Sequence, residues 1–329
     1  TILTMASNHW LLAWLGLEMN TISILPIIMK SHHPRATEAT TKYFLIQATA
    51  ATMILLACIM NSWQTGQWTI THTTETTTLL TTMAIMLKLG IAPTHLWYPQ
   101  VLQGTTMYTA LVISTWQKLA PLSLLYMTCP NLSHPVLLTL GLLSTIIGGL
   151  GGLNQTQTRM IMAFSSIAHM GWLITAMTIS PALTTLTMTM YMVMTTATFI
   201  PLATLTAKTI TDTGTTWPLS PPTLTTTMVT LMSLGGLPPL AGFMPKWLIL
   251  KELSSTGLTL LATTMLLSSL PSLFFYVRLA YLTMLTTPPA STNMEHNWRF
   301  NLTQSTLAAL MIMTSTLSLP LTTTLYMTM

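Results

Sequence analysis

Four ionisable side chains stand where a lipid-soluble segment should carry none. Glu18 lies in Trp14-Leu-Gly-Leu-Glu-Met-Asn20, and Lys88 in Ile85-Met-Leu-Lys-Leu-Gly-Ile-Ala-Pro93. Lys118 lies in Ser114-Thr-Trp-Gln-Lys-Leu-Ala-Pro121, and Lys246 in Gly242-Phe-Met-Pro-Lys-Trp-Leu248. A charge at the centre of a membrane helix costs roughly 2.5–3.5 kcal/mol, so four cost on the order of 10–14 kcal/mol. That rivals the net stability of a whole domain. Such charges face a partner or a wet cavity and mark a conduction path, whereas a lysine near a helix end merely extends its head to the interface. Snorkelling accounts for Lys30 and Lys42, depth argues against it for Lys88 and Lys118, and for Lys246 both readings stand. Desolvation penalises the charged form of a buried group, and a neighbouring opposite charge favours it. A buried acid beside a row of lysines can therefore govern when each lysine holds its proton, which is the chemistry of a proton relay. His169, mid-segment in Ser165-Ser166-Ile-Ala-His169-Met-Gly-Trp172, can bridge protons between lysines. A hydrogen-bonded packing histidine fits it equally well.

The elements that must position these groups follow from composition. Of 329 residues 50% are hydrophobic and only 5% charged, against roughly 25% charged in a soluble domain. Mean hydropathy is +0.60. Soluble and disordered classes both need more charge than this, so the expectation is an all-α polytopic membrane protein forming a single transmembrane domain over 1–329. A spanning helix needs about 20 mostly apolar residues. Ten segments meet that test: 9–29, 43–63, 78–98, 106–127, 134–153, 159–179, 182–207, 223–250, 257–284 and 301–325. Residues 1–7 read as the tail of an apolar helix whose start is missing. Trp10, Trp63, Trp68, Trp97, Tyr98, Trp217 and Trp298 fall near segment ends, where interfacial belts or bulky core packing both place aromatics. One set of alternate loops collects Lys30, Arg35, Lys42, Arg159, Lys208 and Arg299, the other Glu75 and Lys251-Glu252. The positive-inside rule puts the first set inside and the C-terminus outside.

Two of the lysines adjoin helix breakers. Lys88 precedes Gly90 and Pro93, and Lys246 follows Gly235-Gly236-Leu-Pro238-Pro239-Leu-Ala-Gly242-Phe-Met-Pro245. Backbone groups freed at membrane depth survive only inside protein or around a wet cavity. Interrupted helices in corresponding positions of two halves mark transporter inverted repeats. These two lie five segments apart, so two inverted five-helix repeats with broken helices are expected.

Other classes find no footing. Eleven Lys and Arg make no basic stripe for nucleic acid. Cys58 and Cys129 form no CxxC and no Cys/His cluster, so no metal or Fe–S site is expected. The run Gly148-Gly149-Leu-Gly151-Gly152 lacks phosphate-loop spacing and reads as close helix packing. Glu38 and Arg35, about one turn apart, are expected to pair. The 27 methionines read as core filler, and the triplets at Asn131, Asn154 and Asn301 arise readily by chance.

Several motifs carry a resemblance. His9-Trp10-Leu-Leu-Ala-Trp14-Leu-Gly16-Leu-Glu18-Met-Asn20 resembles the second-helix signature of the mitochondrially encoded NADH–ubiquinone oxidoreductase chain 2 family. Pro34-Arg35-Ala-Thr-Glu38-Ala-Thr-Thr-Lys42-Tyr43-Phe44, Gly152-Leu-Asn154-Gln155-Thr156-Gln157 and Ser233-Leu-Gly235-Gly236-Leu-Pro238-Pro239 resemble the same family. The similarity runs in order over essentially the whole chain. It implies an antiporter-like bundle that is a core membrane-arm subunit of respiratory complex I, the H⁺-translocating NADH:ubiquinone reductase, in the mitochondrial inner membrane. Such a subunit is non-redox and binds no cofactor, with NADH, FMN, Fe–S clusters and ubiquinone in partner subunits. Other membrane-arm and accessory subunits and lipids are the implied partners, so no free monomer is expected. In the family pattern Glu18 and Lys88 match the coupled acid–lysine pair, Lys118 the central lysine and Lys246 the distal broken-helix lysine. The chain departs from the family at Gln100, within Pro99-Gln100-Val101 where Pro-Glu-Val is frequent, and at Met160, after Arg159 where a lysine is frequent. Both touch a loop-side entry role rather than the central lysines. A stand-alone cation/proton antiporter would show the same lysine axis but leave detergent extracts as an active monomer. A non-pumping structural subunit would tolerate neutral replacements of Lys88 or Glu18.

Overall fold

The computed structural model describes residues 1–30, 32–215, 221–285, 306–322 and 324–325. Trp217, Trp298, Arg299, Asn301 and part of the 301–325 segment lie outside the described residues. Among the described residues the chain is helical throughout, broken only by loops and two isolated bridges. In chain order the helices are α1 (Ile2–Met5), α2 (Trp10–Met29), α3 (Pro34–Thr65), α4 (Glu75–Leu89), α5 (Trp97–Gly104), α6 (Met107–Ser114), α7 (Trp116–Thr128) and α8 (His134–Gly152). There follow α9 (Thr158–Ile179), α10 (Pro181–Thr204), α11 (Ile210–Thr215), α12 (Pro221–Gly235), α13 (Phe243–Ser255), α14 (Thr259–Leu285) and α15 (Thr306–Leu317). Among the described residues six helices are long and apolar enough to cross a membrane, namely α2, α3, α8, α9, α10 and Thr259–Thr283 of α14.

Local chemistry sets these boundaries. His9 and His33 cap α2 and α3 by accepting, at Nδ1, the amides of Leu11 and Arg35, both at 3.2 Å. Thr74 and Thr77 form a reciprocal capping box at the start of α4. Threonine stays compatible with lipid because its hydroxyl bonds back to a carbonyl three or four residues earlier. Examples are Thr81 to Thr78 at 2.9 Å, Thr187 to Thr184 at 2.9 Å and Thr230 to Thr227 at 3.0 Å.

Three expected spans are each divided in two. The segment 78–98 becomes α4 and α5, because Gly90 takes a left-handed φ of 68° and closes α4 by donating to Leu87 and Met86 carbonyls. The segment 223–250 becomes α12 and α13, turning at Gly236 with φ 82°. The segment 106–127 becomes α6 and α7 at Thr115, with no glycine or proline there. At that point the Ser114 and Thr115 hydroxyls and the Thr115 amide all bond to one carbonyl, that of Leu111.

The chain divides into two compact units, Thr1–Ser144 and Thr145–Met329, with the boundary inside α8. In the first, α3 packs against α2, α4 and α5, and α7 lies against α4 and α2. In the second, α10 packs against α9, α12, α13 and α15, and α14 against α12, α11 and α13. The glycine run behaves as expected within that unit: a Cβ at Gly148 would stand 2.6 Å from the Ala168 amide, and one at Gly152 2.7 Å from the Phe275 ring. A single antiparallel bridge ties the start of the first long helix to the loop after the second in each unit, His9–Thr69 in one and Gln157–Thr209 in the other.

Candidate functional site

In the first unit the break after α4 brings two lysines to one cavity. Lys88, in the last turn of α4, is 6% exposed, and Lys118, in the first turn of α7, is 3% exposed. Both line a cavity of about 20 Å³ whose polar walls include Asn20, Thr21, Gln47 and Gln117. That volume holds about one water molecule. The Lys88 ammonium has no hydrogen-bond partner among the described residues. Lys118 Nζ stands 4.8 Å from the centroid of the Tyr98 ring, a cation–π distance.

The broken helix end that carries Lys88 is itself capped by side chains. Gln47 Nε2 of α3 donates to the Lys88 carbonyl at 3.3 Å, and Trp97 Nε1 of α5 donates to the Leu87 carbonyl at 3.2 Å. The Leu87 carbonyl also accepts the Gly90 amide at 3.3 Å, while the Lys88 carbonyl lies beyond the helix's own ladder, where no lipid group could serve it. Trp97 also makes edge contacts with Tyr43 at 5.9 Å and Tyr98 at 5.6 Å. Glu18 is half-buried on α2, with its carboxylate accepting the Thr21 hydroxyl at 3.0 Å. No ion pair within 4.0 Å joins Glu18 to Lys88.

In the second unit Lys246 and His169 line one cavity, also of about 20 Å³, with Thr187, Tyr191 and Trp172. Lys246 Nζ donates to the Gly235 carbonyl at 2.8 Å, capping the C-terminus of α12, where a cation is electrostatically favoured. The lysine folds over the bend so closely that a Cβ on Gly236 would stand 2.9 Å from Nζ. His169 lies 5.7 Å from the Tyr191 ring. The structure thus groups Glu18, Lys88 and Lys118 in one unit, and His169 with Lys246 in the other.

One expectation changes. Glu38 pairs with Lys42 at 2.6 Å rather than with Arg35. An acid four residues before a lysine is the better helical geometry. Trp10, Trp97 and Tyr98 are core residues, at 1%, 6% and 1% exposure, whereas Trp63 is 88% exposed. Sequence reading overlooked Gln47, Tyr98 as a lysine neighbour, and Arg278. The Arg278 guanidinium donates to the Leu153 carbonyl at 2.6 Å. A polar or charged residue inside an apolar span was the available signal for Gln47 and Arg278. Nothing in the sequence placed Tyr98 beside Lys118. Among the described residues no three His, Cys, Asp or Glu side chains come together as metal ligands.

Comparisons with known proteins bear on this arrangement. The family described as NADH:quinone oxidoreductase/Mrp antiporter, transmembrane, matches residues 7–272, and that described as NADH dehydrogenase subunit 2 C-terminus matches residues 273–326. The chain is 54% identical over 327 residues to NADH-ubiquinone oxidoreductase chain 2 of Formosania lacustris, covering 99% of this chain and 94% of that one. Its identity to NADH-ubiquinone oxidoreductase chain 2 of Xenopus laevis is 52% over 306 residues, covering 93% and 89%. A chain in the structure of respiratory complex I from Thermus thermophilus with bound aureothin shares the fold, with TM-score 0.79 and 24% identity over 97% of this chain and 76% of that one.

Proposed function

Because the chain belongs to the NADH-ubiquinone oxidoreductase chain 2 family, we propose that it carries protons through Glu18, Lys88, Lys118, His169 and Lys246 as a membrane-arm subunit of proton-pumping complex I. It is a multi-pass membrane protein, and its place in this reading is the mitochondrial inner membrane. NADH, FMN, the Fe–S clusters and ubiquinone belong to partner subunits, and the chain contributes no redox chemistry of its own.

One observation carries the relay: two buried lysines share a polar cavity with room for about one water. A protonated Lys88 gives its proton to that water, and the water passes one to a neutral Lys118, so charge moves between the two without either side chain leaving protein. Glu18 sets the direction. When ionised it favours the charged form of Lys88, and when neutralised it removes that support. In the second unit Lys246 holds its proton against the Gly235 carbonyl and exchanges it by breaking that bond toward the cavity lined by His169.

The test is Lys88→Gln and Glu18→Gln in the assembled complex, with NADH oxidation and proton pumping measured together. Loss of coupled pumping with normal assembly supports the relay. Full pumping stoichiometry in either assembled variant would falsify it.

A further inference from the structure

We infer that Tyr98 is a positioning residue whose ring face seats Lys118 only while that lysine is protonated. The inference rests on the relay reading and deepens it by naming what controls the central lysine's position. Tyr98 is 1% exposed and lines the same cavity as Lys88 and Lys118. Its ring lies 4.8 Å from the Lys118 nitrogen. An aromatic face attracts a cation through its quadrupole, most strongly when both are desolvated. The neutral amine feels no such pull. Protonated Lys118 therefore rests on the ring, and the amine, having given its proton to a water in the cavity, is released toward the cavity's polar walls. No bond other than the N–H bond breaks, and the water accepts the proton.

The seat is fixed rather than following the ammonium. Tyr98 stands next to Trp97, which is pinned by its hydrogen bond to the Leu87 carbonyl at 3.2 Å and packs edge-on against the Tyr98 ring. On the other side Gly90 leaves no slack, since a Cβ there would meet Tyr98 Cβ at 3.1 Å and Trp97 Cζ2 at 3.3 Å. One dipeptide thus holds the helix end bearing Lys88 with its first residue and seats Lys118 with its second.

The experiment compares Tyr98→Phe, Tyr98→Leu and Tyr98→Met in the complete complex. Phenylalanine keeps the ring face and loses only the hydroxyl, so pumping within about twofold of the parent is expected. Leucine and methionine fill space without a quadrupole, and a fall of about tenfold is expected with assembly unchanged. Pumping in the leucine variant equal to that in the phenylalanine variant overturns the inference. So does an equal fall in all three, which would assign the role to the hydroxyl. A second readout is the rate of thermal inactivation of the complex, which does not depend on pumping. Tyr98→Leu should inactivate about tenfold faster than Tyr98→Phe when Lys118 is present, and at the same rate when combined with Lys118→Gln. A difference that survives Lys118→Gln shows packing alone and sinks the inference. Should Lys118→Gln leave pumping intact, the relay reading fails while this comparison still reports on the ring–ammonium contact.

Discussion

Two adjacent glycines at the α12 break should respond in opposite ways to the same added methyl group. Gly236 has φ 82°, a conformation that costs a residue with a side chain about 1–2 kcal/mol. Its new Cβ would also stand 2.9 Å from Lys246 Nζ, and 3.2 Å from both Cδ and Cε. The lysine end must move, and with it goes the 2.8 Å bond to the Gly235 carbonyl. A hydrogen bond to a charged group contributes about 1.5–3 kcal/mol. Gly236→Ala is thus expected to cost about 2.5–5 kcal/mol, a large share of the 5–15 kcal/mol typical of a whole domain. Gly235 is the last residue of α12, and a Cβ there meets Tyr276 Cδ2 at 3.6 Å and Leu273 Cγ at 3.9 Å, ordinary contacts. Gly235→Ala should be neutral or stabilising by up to about 1 kcal/mol through helix propensity.

The two variants therefore separate by about 2.5–6 kcal/mol, a gap of roughly 4–9 °C in thermal midpoint for a chain of 329 residues. The assay is thermal unfolding of the assembled complex, with pumping measured on the same samples. Gly236→Ala should also pump poorly, because the displaced ammonium no longer sits against the bend. If the two alanine variants unfold at the same temperature and pump alike, the claim that Gly236 exists to seat Lys246 is refuted.

Three further outcomes follow from the same geometry. Gln47→Leu removes the side-chain donor to the Lys88 carbonyl, with a cost of about 1–3 kcal/mol for the bared carbonyl. It also strips a polar wall from the lysine cavity, so pumping should fall in an assembled complex, and unchanged pumping with unchanged thermal midpoint would contradict the capping role. Asp212 accepts the Thr209 amide at 2.8 Å and the Lys208 amide at 3.1 Å, and the Thr209 amide foremost holds its carboxyl below the usual carboxylate range. Because the folded value is the lower one, this support is present above the unfolded value near 4 and vanishes as pH falls through the folded one. Limited proteolysis across the α10–α11 connection and α11 should therefore stay slow at neutral pH and quicken only under strong acid, whereas Asp212→Asn should be cleaved faster already at pH 7. Lys42→Gln breaks the exposed pair with Glu38 and should leave the thermal midpoint essentially unchanged. A larger change would show that the pair does more than decorate the surface.

How far the sequence revealed this arrangement differs from residue to residue. The breaks at Gly90 and Gly236 were legible because a glycine free to take positive φ is followed closely by proline at each, Pro93 in one and Pro238-Pro239 in the other. The break at Thr115 was not, because ordinary hydroxyls bonding to the Leu111 carbonyl make it. Proline by itself misleads in this chain: Pro26, Pro121, Pro201 and Pro271 all lie inside continuous helices. The buried lysines were visible from composition, since a charge inside an apolar run has few explanations. Their partners were hidden, because Gln47 and Lys88 are 41 positions apart and only the packing of α3 on α4 brings them together. For Tyr98, near a segment end, the sequence left interface and core equally open, and tertiary packing places it in the core.

The two units meet one physical problem and resolve it differently. Breaking a helix within a membrane leaves carbonyls that lipid cannot satisfy, and it leaves the partial negative charge of a helix C-terminus, which favours a cation. In the second unit the lysine supplies both needs, with Lys246 Nζ donating directly to the Gly235 carbonyl. In the first unit Trp97 and Gln47 donate to the Leu87 and Lys88 carbonyls, and the Lys88 ammonium, with no hydrogen-bond partner among the described residues, lines the cavity. A lysine bonded to a carbonyl must break that bond to deliver its proton, whereas one held by a distant acid can be switched by moving or neutralising the acid. On the proposed relay, control by Glu18 therefore belongs at Lys88, where the neutral caps Gln47 and Trp97 leave the ammonium uncommitted to a carbonyl.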